Sequence, residues 1–545
     1  MIGFAEYVDG VLDGSIITGA YVLEACQRHN KDLLNPLLEF RPEEAQKAFA
    51  FISFLQHSTD ADAGNQFLLE PWQEFLVGSI FGWFWKDTKK RRFSESYIQV
   101  ARKNGKSSLA IAMALYHFVT ESETNAEVLI AANSAKQAKD VLFKITKDFV
   151  NKLDPHHDVL LTYYNELKFR GTGSSFKVMA SDVKTLAGYN TSFGIIDEYY
   201  SAMNNELREL FRTSMVAREN AHLMTITTAG WSTDGPCYML RESCINVLDG
   251  AAEDESLFTL IYELDEKDEW TDPKNFIKAN PNLGITVRTD VLIDSVKKAT
   301  QNPSRETNIK TLHLDMWCQS RTTWISDKYL SACFEELDIN DFKNQECYVG
   351  VDLASTSDLC ATVVMFIRDE EYYFFPIFYI PLETLNDRPD THKYQNWHQR
   401  KLITITDGNT TNYDMITNDL IEVDNNHIIR QIAYDRYNAQ KWALDCQNKG
   451  LPMREFSQSI GNFNSPTRHM EMIILSGKAH FHRNEILLHH FKNVMLKSDH
   501  NGNIKPTKSN GKAGGQARNK IDGVIAAIQA LATGLYDNRT SGMIY

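Results

Sequence analysis

Residues 97–109 constrain the fold of this chain more than any other part of its sequence. They read YIQVARKNGKSSL, so a β-branched, strand-like pattern passes through a Gly-Lys-Ser turn into an Ala-rich, helix-like pattern. A strand that leads through such a turn into a helix is typical of a phosphate-binding loop. Backbone N–H groups around Gly105 and the N-terminus of the following helix would then surround phosphate oxygens.

The side chains of this turn predict how a nucleoside triphosphate is held. Lys106 would reach the β- and γ-phosphates, and the Ser107 hydroxyl would ligate Mg²⁺. We also predict contacts to the nucleotide from Asn104 and Ser108. The strict pattern for such a loop has glycine where this chain has Val100, so a basic turn before a helix is the alternative interpretation.

A pair of carboxylates follows at the end of a second apolar, strand-like segment. Residues 193–196 lead directly into Asp197 and Glu198. In a nucleotide hydrolase the first would hold the Mg²⁺ shell, and the second would polarise the water that attacks the γ-phosphate. The next strand-like segment, residues 222–230, would place Thr228 beside the γ-phosphate. Strands that alternate with helices in this order indicate a parallel sheet.

An aromatic-rich segment before the turn predicts a further nucleotide contact. It reads LLEPWQEFLVGSIFGWFW, with a proline at the predicted helix start followed by Trp72 and Gln73. Helicase-like ATPases carry a glutamine in this position that reads the adenine edge. A helix that only packs its aromatic side chains is the alternative interpretation.

Three aspartates mark a second domain in the C-terminal half. Asp352 ends a strand-like segment that returns as a second strand, which is how an RNase H-like fold begins. Asp435 ends a later strand-like segment, and Asp522 begins the last helix-like segment. Three convergent carboxylates would hold two Mg²⁺ or Mn²⁺ ions about 3.5–4 Å apart, an arrangement that cleaves phosphodiesters in line. Helix caps and surface acids are the alternative interpretation.

Composition places these motifs in a multidomain globular protein. A length of 545 residues suggests about two to four domains. With 43% hydrophobic and 23% charged residues, and no apolar run of about eighteen, the chain is expected to have no membrane segment and to stay in the cytosol where it is made. The eight cysteines are spread singly, which predicts reduced core residues.

Charge does not exclude a nucleic-acid enzyme. The formal net charge of −14 argues against a protein that coats nucleic acid, but DNA enzymes often hold basic residues in a local channel on an acidic body. Basic residues cluster just before the last helix-like segment, at Lys505, Lys508, Lys512, Arg518 and Lys520. They are candidates for phosphate contacts, with an ordinary solvated surface as the alternative.

These motifs together resemble the large terminase subunit of tailed bacteriophages, the motor that packages DNA into procapsids. The matching pieces follow the family's order over nearly the whole chain. They are Trp72-Gln73, ARKNGKS from Ala101, AANS from Ala131 with Gln137-Ala138, Ile196-Asp197-Glu198, Thr227-Thr228-Ala229-Gly230, Gly350-Val351-Asp352 with Asp358, Tyr434-Asp435-Arg436, and Lys520-Ile521-Asp522-Gly523. The family's phosphate loop typically relaxes the first glycine and carries an early arginine, here Arg102, that is thought to act on the γ-phosphate.

The resemblance implies an α/β protein with an N-terminal P-loop ATPase domain of ASCE (RecA-like) type, built on a parallel sheet, and a C-terminal RNase H-like nuclease domain. ATP and Mg²⁺ would serve the first domain, and two Mg²⁺ or Mn²⁺ ions the second. Glu198 and Arg102 would act in hydrolysis, and Asp352, Asp435 and Asp522 in cleavage. The identity of an arginine acting in trans stays open among Arg170, Arg212 and Arg218.

The same resemblance implies partners and a location. The partners would be double-stranded DNA, a small terminase subunit and the portal protein, with a homo-oligomeric ring assembled on the portal and no membrane. The location would be the cytoplasm of the bacterial host and, transiently, the procapsid. The predicted segments are a helical lead-in (1–66), an ATPase core (67–253), a helical lid or linker subdomain (254–326), a connector (327–343) and a nuclease domain (344–545).

The expected function is ATP-driven translocation of double-stranded DNA into the procapsid, with metal-dependent endonucleolytic cutting of concatemeric DNA. A helicase or repair translocase fused to a nuclease would need a second RecA-like domain, and residues 254–324 show no second set of ATPase strands. A nucleotide-gated structural clamp would have lost its metals. The presence of Glu198 and of all three aspartates speaks against it.

Overall fold

The computed structural model divides the chain into two compact units, unit 1 (Met1–Cys318) and unit 2 (Gln319–Tyr545). The structure describes residues 2–56, 64–121, 123–132, 134–180, 188–233, 235–301, 303–318, 324–353, 359–386, 391–436, 439–499, 502–508 and 520–537. Within these ranges no helix is both long and apolar enough to cross a membrane. All eight cysteines are free thiols, and every one except Cys318 is buried.

Unit 1 combines helices with ten strands in the described ranges. Its strands are β1 Leu38–Phe40, β2 Trp83–Trp85, β3 Glu95–Gln99, β4 Glu127–Ala132, β5 Leu160–Thr162, β6 Glu166–Phe169, β7 Ser175–Ala180, β8 Thr191–Asp197, β9 His222–Thr227 and β10 Leu257–Ile261. Its helices are α1 Ile2–Leu12, α2 Ala20–Leu33, α3 Pro42–Ser53, α4 Pro71–Gly82, α5 Lys106–Thr120, α6 Ala135–Gln137, α7 Lys144–Leu153, α8 Glu206–Met215, α9 Pro236–Leu248, α10 Phe276–Ala279, α11 Thr289–Ala299 and α12 Pro303–His313. A π-helix, Ala138–Phe143, joins α6 to α7.

The main sheet of unit 1 has eight strands in the order β10-β3-β9-β8-β4-β7-β6-β5. All pairs from β10 to β7 are parallel, and β6 and β5 are added antiparallel. Strands β8 and β9 are buried at every residue, as expected for a parallel sheet covered on both faces. The predicted parallel sheet is therefore present, and its carboxyl ends meet at one edge.

One strand of this sheet lies in a segment for which the sequence predicted helix. Residues 257–261 form β10, which pairs with β3 and is buried throughout. The five-residue apolar run LFTLI is too short to show a period, and polar residues surround it, so its pattern does not separate strand from helix. The remaining segment, from residue 273 to residue 313, is largely helical.

Unit 2 is organised around a second sheet. Its strands are β11 Phe334–Glu335, β12 Glu346–Asp352, β13 Cys360–Arg368, β14 Glu371–Pro381, β15 Thr404–Thr406, β16 Ile428–Tyr434, β17 Met453–Glu455, β18 Ala479–His482, β19 Met495–Ser498 and β20 Ile504–Thr507. Its helices are α13 Asp327–Ala332, α14 Leu382–Asn386, α15 Thr391–Gln399, α16 Tyr413–Asn426, α17 Gln440–Asn448, α18 Ile460–Leu475, α19 Glu485–Lys492 and α20 Asp522–Tyr536.

The sheet of unit 2 has the strand order β11-β18-β14-β13-β12-β16-β17. Strands β12, β13 and β14 form an antiparallel meander, and β16 and β17 follow in parallel beside β12. This is the RNase H-like arrangement that the sequence predicts from the first strand and its return. Strands β19 and β20 form a separate hairpin. The predicted connector, residues 327–343, contains α13 and β11, and β11 pairs with β18. The other predicted segment boundaries remain predictions.

Candidate active sites

The predicted phosphate-binding loop connects strand β3, the second strand from one edge of the sheet, to helix α5. Gly105 precedes the helix with a φ of 80°, a left-handed conformation that favours glycine. Lys103 also has a positive φ, of 71°. These two left-handed conformations lie in the turn from β3 into α5. The first N–H groups of a helix have no partner within the helix and can bind a phosphate.

Three predicted side chains meet at this turn. Ser107 donates a hydrogen bond from its hydroxyl to Asp197 Oδ2 over 3.1 Å, although the two residues come from different elements. Lys106 is almost fully buried and lies in the electrostatic field of Asp197. The end of β8 and the start of α5 therefore bring together the hydroxyl, the carboxylate and the ammonium group that the sequence assigned to ATP and Mg²⁺.

Burial changes the protonation of these groups. Burial raises the pKa of Asp197 to about 6, against the opposing effect of Lys106. Burial also lowers the pKa of Lys106, and the carboxylates of Asp197, Asp315 and Glu198 oppose that shift. Asp197 Oδ1 is buried and has no hydrogen-bond partner among the described residues. A Mg²⁺ ion, which prefers oxygen ligands, fits an unpaired carboxylate oxygen beside a serine hydroxyl.

Glu198 follows Asp197 in a left-handed conformation, with a φ of 57°. Arg102 donates from Nη2 to the Tyr200 hydroxyl over 3.2 Å, and that hydroxyl lies 3.5 Å from Glu198 Oε2. Tyr200 thus lies between the two residues assigned to hydrolysis. The sequence analysis missed Tyr200, because a tyrosine two residues after a carboxylate pair has no distinguishing pattern.

The end of β9 lies beside the phosphate loop. Gln99 and Thr227 are opposite each other in the parallel pair β3/β9, and Val100 donates its N–H to the Thr227 carbonyl over 3.2 Å. Thr228 is fully buried, and its hydroxyl donates to the Ala229 carbonyl over 3.0 Å. The Thr227 hydroxyl accepts the Tyr200 N–H over 2.9 Å, so this strand end is bonded to the segment that carries Glu198.

The remaining predicted nucleotide contacts have different positions. Gln73 is buried in the first turn of α4, where its side-chain carbonyl accepts the Glu70 N–H over 3.0 Å. The amide nitrogen of its side chain lies 3.7 Å from the position that a Cβ at Gly105 would occupy. Ser108 is half-buried in the first turn of α5. The Asn104 side chain instead points into the protein, where it donates to Asn280 Oδ1 over 3.0 Å and accepts the Asn282 N–H over 3.0 Å. It shapes the loop, and only its backbone is available to a phosphate.

The three arginines considered for action in trans differ in their surroundings. Arg212 forms ion pairs with Glu95 and Glu209 of its own unit. Arg218 is paired with Glu123 over 2.7 Å. Arg170 is exposed at the end of β6.

In unit 2 the three predicted aspartates come from two strand ends and a helix start. Val351 and Tyr434 are opposite each other in the parallel pair β12/β16, so Asp352 and Asp435 follow at neighbouring strand ends. Asp522 is the first residue of α20, which lies against β12. A Cβ at Gly350 would be 1.9 Å from the Ala526 carbonyl oxygen, so only glycine allows this approach.

The charges of these aspartates interact. Burial raises the pKa of Asp352 well above its ordinary value, and Asp522 and Asp435 raise it further, whereas Lys508 opposes them. Lys508 Nζ lies 3.2 Å from Asp522 Oδ1, and Gln458 donates to Asp352 Oδ1 over 3.2 Å. The three carboxylates therefore share one electrostatic environment.

The basic hairpin β19/β20 faces this group. Burial lowers the pKa of Lys505, and the carboxylates of Asp435 and Asp352 counteract that effect. Lys505 also bonds the Gln458 carbonyl. Two of the five basic residues singled out in the sequence thus lie beside the aspartates. Lys512 and Arg518, like Asn133 and Asp358 of the matching motifs, lie outside the described residues.

Three carboxylates are the oxygen ligands that Mg²⁺ and Mn²⁺ prefer, and their mutual repulsion favours a cation between them. In the part of the chain that the structure describes, however, no three His, Cys, Asp or Glu side chains are placed to hold one metal ion together. Lys508 supplies a positive charge at Asp522 instead. The donor set fits divalent cations, and binding would require Asp522 to exchange this ammonium group for a metal ion.

Comparison with known families finds two kinds of domain in this chain, in the order that the sequence predicts. A family model described as "Terminase large subunit, ATPase domain" matches residues 71–246, and one described as "Terminase large subunit, endonuclease domain" matches residues 251–537. The chain belongs to the terminase large subunit family. The endonuclease match begins at residue 251, but β10 pairs with the ATPase strand β3, so we place the boundary between the two units at residue 318.

Individual relatives of this terminase large subunit are distant in sequence. "Terminase, large subunit" of Enterobacteria phage HK97 is 24% identical over 473 residues, covering 85% of this chain and 90% of the relative. Protein YmfN of Escherichia coli (strain K12) is 29% identical over 358 residues, covering 63% of this chain and 77% of the relative. A crystal structure of the HK97 bacteriophage large terminase covers 90% of this chain and 99% of its own, with 23% identity and a TM-score of 0.46.

As a terminase large subunit, the protein is an ATPase and an endonuclease that functions in phage DNA packaging. It acts with DNA and the packaging complex, and domains of these two kinds use ATP and divalent metal ions. The predicted family, fold class and two activities are confirmed. The helicase and clamp alternatives are not supported.

Proposed function

We propose that unit 1 hydrolyses ATP with Mg²⁺ at the carboxyl edge of its parallel sheet, and that the energy drives double-stranded DNA into a procapsid. The hydrogen bond between Ser107 and Asp197, beside the buried ammonium group of Lys106, carries this assignment. The ion would neutralise charge on the phosphates. Glu198 would polarise the attacking water. Tyr200 would fix the position of Glu198 relative to Arg102.

We further propose that Asp352, Asp435 and Asp522 bind two Mg²⁺ or Mn²⁺ ions, which activate water for cutting concatemeric DNA. Lys505 and Lys508 would contact the phosphate backbone near the cut. The proposal includes a small terminase subunit and a portal protein as partners, a homo-oligomeric ring on the portal, and residence in the cytoplasm of the bacterial host and transiently on the procapsid. Family membership supports these assignments.

Two matched sets of variants test the separation of the activities. Lys106→Ala should abolish ATP turnover, because the cation at the β- and γ-phosphates is lost, and Glu198→Gln should bind ATP but barely hydrolyse it. Both should still nick plasmid DNA with Mg²⁺ or Mn²⁺. Asp352→Ala should lose plasmid cutting and keep normal ATP turnover. Normal ATP turnover by Lys106→Ala, or normal cutting by Asp352→Ala, would remove that residue from the proposed site.

A further inference from the structure

The hairpin β19/β20 is held against helix α18 and carries lysine side chains to the aspartates of the candidate nuclease site. Arg468 of α18 donates from Nη2 to the carbonyl of Gly502, in the turn of the hairpin, over 2.7 Å. At the start of β20, Ile504 donates its N–H to Asn464 Oδ1 of the same helix over 3.0 Å. Two hydrogen bonds therefore fix the position of the hairpin in unit 2.

Lys508 follows β20 directly, and its ammonium group meets a proposed metal ligand. Lys508 Nζ lies 3.2 Å from Asp522 Oδ1. The Asp522 side chain is 10% exposed and begins α20, which lies directly against the backbone of β12. The Lys508 side chain is 32% exposed and has a flexible four-carbon stem. The aspartate is therefore fixed in place, and the lysine is the member of the pair that can move.

The second lysine of β20 has a different role. Lys505 bonds the main-chain carbonyl of Gln458, and the side chain of Gln458 donates to Asp352 Oδ1 over 3.2 Å. Lys505 thus supports the site through an amide, whereas Lys508 places its charge directly on a carboxylate. These two lysines are three residues apart in the sequence, but they can be tested separately.

An ammonium group at this distance conflicts with a metal ion on the same oxygen. Mg²⁺ binds carboxylate oxygens at about 2.1 Å, so an ion on Asp522 Oδ1 would lie within about 5.5 Å of Lys508 Nζ in its present position. The two positive charges would repel each other strongly inside a site that is largely removed from water. A DNA phosphate beside the aspartates would offer Lys508 a different anion.

We propose that Lys508 is a positioning residue that makes metal loading at Asp522 depend on DNA. The proposal rests on the nuclease site proposed above. Without DNA, the ammonium group of Lys508 neutralises Asp522 and keeps a divalent ion away from it. When DNA lies across the site, its phosphates attract Lys508, and the Asp522 carboxylate becomes available to metal. The site would thus become fully loaded where DNA is already in place.

Lys508→Met tests the first half of this proposal, in the absence of DNA. Methionine keeps an unbranched, flexible side chain and removes the charge. In calorimetry on the full chain, the variant should bind Mn²⁺ at least about tenfold more tightly than wild type. Lys508→Arg keeps the charge and should bind Mn²⁺ about as weakly as wild type. Lys497→Met, at an exposed position of β19, is the matched control and should also behave as wild type.

A short DNA duplex tests the second half. Ca²⁺, which also binds oxygen ligands, replaces Mn²⁺ in this titration to limit cutting. The duplex should tighten Ca²⁺ binding by wild type at least about fivefold more than it tightens binding by Lys508→Met, because the variant has no ammonium group to displace. By linkage, Ca²⁺ should tighten duplex binding by the same factor in each protein.

Asp352→Ala distinguishes failure of this proposal from failure of the nuclease site. If Asp352→Ala binds Mn²⁺ as wild type does, the ion is not at the aspartates and the nuclease assignment itself fails. If Asp352→Ala loses binding but Lys508→Met binds Mn²⁺ no more tightly than wild type, the proposal for Lys508 is overturned. An equal effect of the duplex on wild type and Lys508→Met would also overturn it.

The thermal midpoint in EDTA separates a structural role from the proposed one. A lower midpoint of Lys508→Met with unchanged Mn²⁺ affinity would give Lys508 a purely structural role. A lower midpoint with tighter Mn²⁺ binding is the expected result, since Asp522 then lacks its cation until metal arrives. If Lys508→Met does not fold, Lys508→Gln is measured in its place, with the same expected gain in Mn²⁺ affinity.

Discussion

Asp197 and Lys106 are both removed from water at the nucleotide-binding edge, and this has a cost when ATP and metal are absent. A buried carboxylate is harder to ionise, and the nearby ammonium group compensates only in part. The pKa of Asp197 remains raised, at about 6 compared with an ordinary value of 3.8. Part of the binding energy of Mg²⁺ would therefore offset a destabilisation that is already present in the folded protein.

Asp197→Asn should stabilise the metal-free protein in a pH-dependent manner. Between about pH 4 and pH 6 the folded wild type binds a proton that the unfolded chain releases, so its free energy of unfolding falls as pH rises through this range. Asparagine does not ionise, so the variant should gain roughly 3 kcal/mol at pH 8 and clearly less at pH 5. Denaturant unfolding in EDTA at both pH values measures the difference. An equal gain in the free energy of unfolding at pH 5 and pH 8 would mean that Asp197 does not titrate between these pH values.

Asp522→Asn tests the nuclease site at the same scale. The substitution keeps the size of the side chain and removes one charge from a site that must hold about four positive ones. We expect DNA cleavage to be lost, with ATP turnover unchanged and a thermal midpoint close to wild type. Asp445→Asn, an exposed position on α17, serves as the control. Retained cutting would remove Asp522 from the metal site, and a large fall in midpoint would point to a structural role through Lys508.

In unit 2, helix α20 lies directly against the backbone of β12, because Gly350 has no side chain. Gly350→Ala would place a methyl carbon within 1.9 Å of the Ala526 carbonyl oxygen, and a backbone atom of a buried helix cannot move aside easily. We expect the free energy of unfolding to fall by about 3 kcal/mol or more and cleavage to be lost with it.

Gly461→Ala in α18 is the matched control for this change. Apart from the neighbouring residues in the chain and the backbone of α18 itself, no atom of the described residues lies within 4 Å of the added carbon. The substitution should therefore be neutral or stabilising by up to about 1 kcal/mol. Equal effects of the two substitutions on the denaturation midpoint would show that the contact between helix and strand does not limit stability.

The elements that carry chemistry were predictable because each motif is local. Strands β3, β8, β12 and β16 each have a short strand-like pattern that is followed directly by a turn or ends next to a carboxylate. Strand β14 was not predicted, and Pro376 in its middle argues against a strand. The structure accommodates this proline because residues 372–374 pair with β18 and residues 379–381 with β15, so no partner on that side needs the missing N–H.

The contacts that complete each site were less predictable. Asn280 and Asn282 fix Asn104, and Lys508 pairs with Asp522, through side chains whose sequence surroundings carry no motif. Such contacts depend on the packing of complete elements, and local patterns contain no information about them.

At the scale of the whole molecule, the boundary between the units decides which fragment should fold alone. The sequence predicted a nuclease domain from residue 344, but this start removes α13 and β11. Phe334 of β11 stacks on Phe481 with ring centroids 5.0 Å apart, and Leu330 of α13 belongs to the same core. A fragment of residues 319–545 should fold and nick DNA without ATP when Mg²⁺ or Mn²⁺ is present.

The fragment of residues 344–545 should be less stable by several kcal/mol, since large buried side chains are lost. Thermal midpoints and plasmid nicking of both fragments, compared with the full chain, measure this difference. Equal midpoints would place α13 and β11 outside the cooperative unit. A 319–545 fragment that folds but cuts only with ATP would mean that unit 1 controls the metal site directly.

The arrangement of α20 on β12 also gives the nuclease an order of assembly during translation. Ribosomes add about 5–20 residues per second, so roughly 10–30 s pass between the synthesis of Asp352 and that of Asp522. At the end of this interval the nascent chain has its sheet and its basic hairpin but still lacks one of the three proposed metal ligands. The ATP site, by contrast, has Lys106, Asp197 and Glu198 long before. A nascent chain thus contains all the residues proposed to hydrolyse ATP well before it contains all those proposed to cut DNA.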